Sequence, residues 1–200
     1  MIISTKQKRR SYRLGRRAEA AEETRRRIVE ATSRLHAERG IADTSMKDIA
    51  ERAGVSVGTV YHHFPTYPDA IAACGAYTAE QVPAPTEAIY DGAATRRERI
   101  ERLVEALFDY YERIPALASV RRDRHIAEVL DEVVEQEADN RLTLAARAIG
   151  ALKRDRQSAL VAALVDLDVY RALRRQAFNT TRAAERIAAL LNGWLETSKD

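Results

Sequence analysis

The sequence predicts an all-α chain, and three observations carry that prediction. Apolar residues recur at spacings of three and four from Ile28 to Leu195, and no stretch sustains the alternation of a strand. A hydroxyl residue followed three positions later by a carboxylate, the pattern that opens helices, stands at Ser45/Asp48, Thr66/Asp69 and Thr95/Glu98. Breakers follow at helix-length intervals: Gly40, Gly54, Pro83 with Pro85, and Pro115. A chain of 200 residues, 46% hydrophobic and 32% charged, has the composition of a soluble globular protein and can bury one core or two small ones.

Taken in order, residues 1–17 hold seven basic residues (Lys6, Lys8, Arg9, Arg10, Arg13, Arg16 and Arg17) and no acidic ones. With so little to bury, residues 1–19 are expected to form a disordered basic arm. It either follows nucleic-acid phosphates or simply solubilises the chain. The first helix is expected from about Ala20 to Arg39, burying Ile28, Ala31 and Leu35 and stopped by Gly40. Thr24 to Arg27 places three arginines near that helix start, a sign opposed to the helix dipole, so an external anion is their expected partner.

Two short patterns then meet at a glycine. Met46, Ile49 and Ala53 lie on one face of the first, and Val60 and Phe64 on one face of the second. Gly54 between them can take the positive φ that a tight turn needs. Ser45 and Ser56 are placed to cap the two helices. Helix, tight turn and helix are the parts of a helix-turn-helix. The second helix is small and polar on one side (Gly58, Thr59, Tyr61, His62 and His63), which suits close approach to DNA.

Beyond it, Thr66 and Asp69 open a fourth helix with Ile71, Cys74 and Tyr77 inward, ended by Pro83 and Pro85. Thr95 opens a helix carrying Ile100, Leu103, Leu107, Tyr110, Tyr111 and Ile114. A long helix is expected through Ile126, Leu130, Val133, Leu142, Ile149 and Leu152. After a polar break at Lys153 to Gln157, two last helices are expected over Ser158–Ala177 and Thr181–Leu195. The expected division is an arm (1–19), a helix-turn-helix domain (20–67) and a larger helical domain (68–200).

Charge divides the same way. Residues 1–67 carry 14 Lys/Arg against 8 Asp/Glu, a net of +6, and the remainder is net −3. Positive charge therefore lies with the expected DNA reader, as phosphate neutralisation requires. No segment approaches the roughly 20 apolar residues of a membrane span, and the basic N-terminus has no apolar core of a secretory signal. The lone Cys74 permits no internal disulfide, so a cytoplasmic home is expected. Its plain structural reading is a small buried residue. His62 and His63 are adjacent and diverge on a helix, while His36 and His125 have no partner at ligand spacing. Neither an HExxH pair nor a glycine-rich phosphate loop is present. No metal, cofactor or catalysis is expected.

The continuous stretch TRRRIVEATSRLHAERGIADTSMKDIAERAGVSVGTVYHHFPTYPDAI, Thr24 to Ile71, resembles the N-terminal domain of the TetR (tetracycline repressor) family of bacterial transcription regulators, most specifically in IAERAGVSVGTVYHHF and the AERG turn. The resemblance implies an N-terminal three-helix DNA-binding domain and a C-terminal helical domain for ligand binding and dimerisation. It implies base contacts from Lys47, Val57, Thr59 and His62. Ser45, Ser56, Tyr61 and His63 are assigned to phosphates, Arg25 to an anion, and Gly58 to close backbone approach. Two positions depart from the family pattern. His36 stands where Phe is usual, and Tyr67 stands where a phosphate-holding lysine is usual. The Tyr67 hydroxyl is left as a substitute donor.

In the C-terminal domain the resemblance implies a pocket, with Tyr77, Tyr90, Phe108, Tyr110, Tyr111 and His125 as its available lining. Core packing is the plain alternative for each. A homodimer is implied because one helix-turn-helix reads only a few base pairs. Leu160, Leu164, Leu167, Ile187, Leu190, Leu191 and Leu195 are the expected pairing residues. The implied function is a repressor released from a palindromic operator by an unidentified small molecule. A helical DNA-binding protein without an inducer and a helical scaffold are the alternatives.

Overall fold

The structure, a computed structural model, describes residues 5–151 and 154–197, with side chains described from Arg16 onward. Among these residues there is no strand; the chain is all-α, with a helix-turn-helix near its N-terminus. It divides into two compact units, residues 1–77 and 78–200.

The first unit contains α1 (Thr5–Arg39), α2 (Met46–Ala53), α3 (Val57–His63) and most of α4 (Tyr67–Gln81). Helix α1 begins well before the expected Ala20, so from Thr5 onward the arm foreseen as disordered is helical. The reason is compositional. Lys, Arg, Gln, Ala and Glu dominate residues 5–39, Gly15 is the single glycine and proline is absent, so summed helix propensity is high even where no apolar face exists. Residues 1–4 lie outside the described residues. The predicted stripe holds: Ile28, Ala31 and Leu35 are buried with Met46, Ile49, Ala53, Val60 and Phe64 in one core.

Local chemistry fixes the turns. Ser45 caps α2 in a complete capping box with Asp48, and Ser56 caps α3 by accepting from the Thr59 N–H. Gly54 takes φ +65° and its N–H closes α2 onto the carbonyls of Ala50 and Glu51. Thr66 and Asp69 form the reciprocal pair that opens α4, with the Thr66 N–H donating to Asp69 Oδ2 at 2.8 Å.

The second unit is built on α5 (Arg96–Arg113), opened by the Thr95/Glu98 capping box. Against it pack α7 (Glu128–Ile149), α9 (Leu167–Arg175) and α10 (Thr180–Thr197), while α6 (Leu117–Arg122) and α8 (Arg156–Leu164) pack on α7. Helices α5 and α10 run antiparallel: Arg97 at the start of α5 pairs with Glu196 at 2.6 Å, and Arg96 Nη2 donates to the Leu195 carbonyl. Ala183, Ala184 and Ala188 are buried on α10, and their small side chains let the two helices approach closely.

Two boundaries differ from expectation. Helix α7 stops at Ile149 because Gly150 adopts φ +78° and caps it; Leu152 lies outside the described residues. The single helix expected over Ser158–Ala177 is two. Asp166 breaks it by accepting from the Asp168 N–H at 2.8 Å and so capping a new helix, α9. An aspartate at such a site competes with the helix for backbone donors.

Candidate nucleic-acid interface

Helix α3 is held by one side and open on the other. Val60 is fully buried and Phe64, its C-cap residue, is 3% exposed. Facing outward are Val57 and Tyr61, 37% and 49% exposed, with Gly58 and His62 beside them. Two large apolar side chains exposed in one short helix, flanked by imidazoles, form a surface with no partner inside this unit. Lys47 is exposed on α2, and Ser45 and Ser56 are exposed at the two caps. Both serine hydroxyls are engaged locally: Ser45 Oγ donates to Asp48 Oδ2 at 2.5 Å, and Ser56 Oγ lies 2.8 Å from Thr59 Oγ1. A β-carbon at Gly58 would meet only Ser56 Oγ, at 3.8 Å. The fold itself therefore does not demand glycine there.

The imidazole of His63 is half-buried and its pKa is held below the ordinary value, first by desolvation and then by His62 and Arg25. The Asp48 carboxyl is held low by the Ser45 hydroxyl and N–H, with Arg39 adding at 3.2 Å. The capping box thus stays ionised and intact across the neutral range.

The three arginines of α1 have separate tasks, and they are not at a helix start. Arg25 lies over the Phe64 ring, 5.2 Å from its centroid, and remains exposed beside α3. Arg26 pairs with Glu23 at 2.8 Å and with Glu30. Arg27 Nη2 donates to the Ala53 carbonyl at 2.5 Å and reaches that of Gly54 at 3.4 Å, closing the C-terminus of α2. Thr24 does not cap a helix; its hydroxyl donates back to the Ala20 carbonyl within α1. Only Arg25 keeps the position an external anion would need.

Tyr67 corrects the expectation drawn from sequence. Its hydroxyl donates to the Ile41 carbonyl at 2.7 Å and lies 2.9 Å from His36 Nε2. Since the single phenolic proton goes to Ile41, His36 Nε2 must be the donor in that second bond. His36 Nδ1 then accepts, and Cys74 Sγ lies 3.8 Å from it. A hydroxyl committed inward in this way is not a phosphate donor. The two departures from the family pattern are one feature: the histidine and the tyrosine bond to each other. Nothing in their separation of 31 residues announces that pairing; only the tertiary fold supplies it.

In the second unit the expected pocket residues do not gather round one space. Phe108 is fully buried, 5.1 Å from the Tyr170 ring. The Tyr90 hydroxyl donates to the Leu144 carbonyl at 2.8 Å, and its burial holds it strongly towards the neutral form. Tyr110 is half-buried, His125 is exposed, and Tyr77 belongs to the first unit. Only Tyr111 lines the open cleft of about 500 Å³ formed with Ile114, Pro115, Leu167, Tyr170 and Arg175.

Tyr111 also joins a charge cluster that periodicity does not reveal. Its hydroxyl donates to Glu137 Oε1 at 2.9 Å. Arg121 bridges Glu137 and Asp166 at 2.5 and 2.9 Å, and Arg141 bridges the same two carboxylates at 2.7 and 2.9 Å. All four charged side chains are at most 18% exposed. The i,i+4 spacing of Glu137 and Arg141 is the one signal in the sequence; Asp166 and Arg121 join only through folding.

Three of the expected pairing residues are already used within one chain. Leu167, Leu191 and Leu195 are 3%, 0% and 4% exposed, so they belong to the chain's own core and are not available for pairing. Ile187 and Leu164 are partly buried against that core. Leu160 and Leu190 are 44% and 56% exposed, on α8 and α10. Among the described residues no cluster of three metal-ligating side chains occurs, and no helix is long and apolar enough to cross a membrane.

Residues 28–66 match the family model described as bacterial regulatory proteins, tetR family. The HTH-type transcriptional regulator TtgR of Pseudomonas putida is 51% identical over 49 residues, covering 24% of this chain and 23% of TtgR. The HTH-type transcriptional repressor KstR of Mycolicibacterium smegmatis is 31% identical over 100 residues, covering 50% of this chain and 49% of KstR. The chain thus spans about a quarter to a half of the curated relatives it matches. A TetR-like transcriptional regulator from Rhodococcus sp. RHA1 shares the fold over 88% of this chain and 97% of its own, with a TM-score of 0.70 at 18% identity. The capped helix-turn-helix of residues 28–66 is thus that of the tetR family of bacterial regulatory proteins, and the chain as a whole shares the helical fold of a TetR-like regulator.

Proposed function

We propose that the protein is a transcriptional repressor that binds a palindromic DNA operator as a homodimer and is released by a small molecule. The observation that carries the DNA-binding part is the two-sidedness of α3. Val60 and Phe64 anchor it, while Val57, Gly58, Tyr61 and His62 are presented outward beside Lys47. That surface sits in the part of the chain with net charge +6. Val57 and the methyl of Thr59 fit a thymine methyl, and Lys47 can donate to guanine O6 or N7. Arg25, Ser56, Tyr61 and His63 surround these groups as phosphate partners, which set register without reading sequence. Ser45, whose hydroxyl and N–H both go to Asp48, instead holds the start of α2 in place. Tyr67 is not among the phosphate partners either.

Pairing follows from geometry. Two readers must sit about 34–36 Å apart to occupy successive turns of one DNA face. The exposed Leu160 and Leu190 are the anchors offered by α8 and α10, with Leu164 and Ile187 beside them. For the effector, the cleft beside Tyr111 and Tyr170 combines apolar walls with the guanidinium groups of Arg171, Arg174 and Arg175 and the carboxylate of Glu112, a lining suited to an aromatic or apolar molecule bearing a polar group. Helix α4, with residues on both sides of the division at Tyr77/Thr78, is the covalent path for release. A coupling of about 1–3 kcal/mol would weaken DNA binding roughly 5- to 150-fold.

The test starts from a random duplex library. Wild-type protein should enrich a two-fold symmetric sequence and bind it with salt-sensitive affinity. Failure to bind any duplex overturns the reading. Light scattering should give about twice the 22.5 kDa chain mass; a monomer at micromolar concentration refutes the pairing.

A further inference from the structure

The cleft beside Tyr111 carries more charge than its own side chains neutralise, and the sign of the excess says what it can hold. Its walls are apolar at Ile114, Pro115, Ala118 and Leu167, around a volume of about 500 Å³. Two phenols (Tyr111 and Tyr170), one carboxylate (Glu112) and the guanidiniums of Arg171, Arg174 and Arg175 complete the lining.

Most of these polar groups are already spent within the chain. The Tyr111 hydroxyl donates to Glu137 at 2.9 Å, and the Tyr170 hydroxyl donates to Glu112 Oε2. The other oxygen of Glu112 accepts from Arg174 Nη2 at 3.3 Å, while Arg174 Nη1 donates to the Phe178 carbonyl at 2.9 Å. Both phenolic protons, the carboxylate and one guanidinium are thus engaged. Arg171 and Arg175 differ. Arg171 stands 3.9 Å from Asp168, beyond hydrogen-bonding distance, and that aspartate is 78% exposed. Arg175 makes no hydrogen bond or ion pair among the described residues.

The end of α9 does not claim these two cations either. Basic residues there ordinarily answer the helix dipole and its free carbonyls. The carbonyls of Leu173 and Arg174, however, accept the N–H groups of Gln176 and Ala177 at 3.0 and 3.1 Å. Arg171 and Arg175 lie four residues apart, on one face, where like charges repel. Three guanidiniums against one carboxylate leave the cleft at +2, or +1 with Asp168 included.

Apolar walls beside two unengaged guanidiniums match an apolar body that ends in one carboxylate. We propose that this cleft binds an apolar monocarboxylate, with its body against Tyr111, Leu167 and Tyr170 and its carboxylate on Arg171 and Arg175. This rests on the cleft being the effector's site, and assigns the effector's chemical class.

The experiment is isothermal titration of the full-length protein with three probes that share one body: 2-naphthoate, its amide, and 2-naphthylmethylamine. Decanoate serves as a second, aliphatic carboxylate. Naphthoate should bind about 5- to 30-fold more tightly than the amide, since each exposed ion pair contributes up to about fivefold. The amine should bind most weakly. Arg171→Gln combined with Arg175→Gln, two exposed positions, should abolish the preference for naphthoate and leave the amide's affinity unchanged. Equal affinity for the three probes, no binding of either carboxylate at millimolar concentration, or a preference that survives in the variant overturns the proposal. Anisotropy of an enriched duplex with and without the probes separates this from release. Charge-selective binding that leaves DNA affinity unchanged keeps the site and its ligand class and removes the effector role. Release by the amide or the amine, with no carboxylate bound, keeps the effector role and overturns the proposal.

Discussion

Replacing Tyr67 by Phe separates a structural hydroxyl from a DNA-binding one. The substitution keeps the ring, which sits 6.0 Å from the His36 ring in an edge-on arrangement, and deletes one oxygen. The Ile41 carbonyl keeps the N–H of Thr44 at 3.1 Å. His36, 3% exposed, loses its bond to the hydroxyl. Taking a partner from a buried polar group costs about 1–3 kcal/mol. In a unit the size of residues 1–77, about 2 kcal/mol lowers the midpoint by roughly 8–16 °C at 4–8 °C per kcal/mol. DNA affinity well below that temperature should change less than twofold. Thermal melting followed by circular dichroism, with anisotropy titration of an enriched duplex, reads both quantities. Unchanged melting with affinity reduced severalfold would refute the inward hydrogen bond and return Tyr67 to the phosphates. The family pair provides the complement: Tyr67→Lys alone should melt low. Combined with His36→Phe it should recover stability and steepen the salt slope by about 0.9 per protomer.

Further expectations follow from the same geometry. Gly58→Ala should leave stability unchanged or raise it by up to about 1 kcal/mol, since Ala is the better helix former and the added carbon meets Ser56 Oγ only at ordinary van der Waals distance. A gel shift should nonetheless show weaker binding, and undiminished affinity would deny close backbone approach at this point. Glu137→Ala leaves Arg121 and Arg141 sharing the single carboxylate of Asp166 in a largely buried site, with one positive charge in excess, and should cost about 3 kcal/mol in urea denaturation; a loss under about 1 kcal/mol would mean the cluster is solvated. Burial holds His63 neutral below its ordinary titration range, whereas a phosphate would favour the imidazolium. Binding should then take up a proton and strengthen as pH falls from about 7.5 to 5.5, by at most about tenfold per unit. In His63→Gln that part of the pH dependence should vanish, and its persistence would place the proton elsewhere.

The reader is legible in the sequence because its determinants are local. Ser45 with Asp48, Gly54 and Ser56 each act within four residues, so spacing alone predicts two capped helices and a turn. Val60 and Phe64 at i,i+4 predict the anchored face in the same way. What stays hidden depends on distance along the chain. The His36–Tyr67 bond spans 31 positions, and the cluster of Arg121, Glu137, Arg141 and Asp166 is assembled from three separate segments. Leucines on α9 and α10 look like pairing residues because periodicity marks a buried face without saying what buries it; for Leu167, Leu191 and Leu195 it is the chain itself. The start of α1 escapes sequence for the converse reason. A helix rich in Lys and Arg needs no apolar stripe to form, and the stripe is the signal that periodicity follows.

The clamp of Arg27 on the end of α2 has a consequence for which residues this turn can hold. Any side chain at residue 54 would have to accept φ +65°, and its β-carbon would stand 3.3 Å from Arg27 Nη2. The arginine, in turn, has its place because residue 54 leaves room for it. A side chain at residue 54 would therefore both strain the turn and push the guanidinium aside by a few tenths of an ångström, so residues 27 positions apart meet in one constraint.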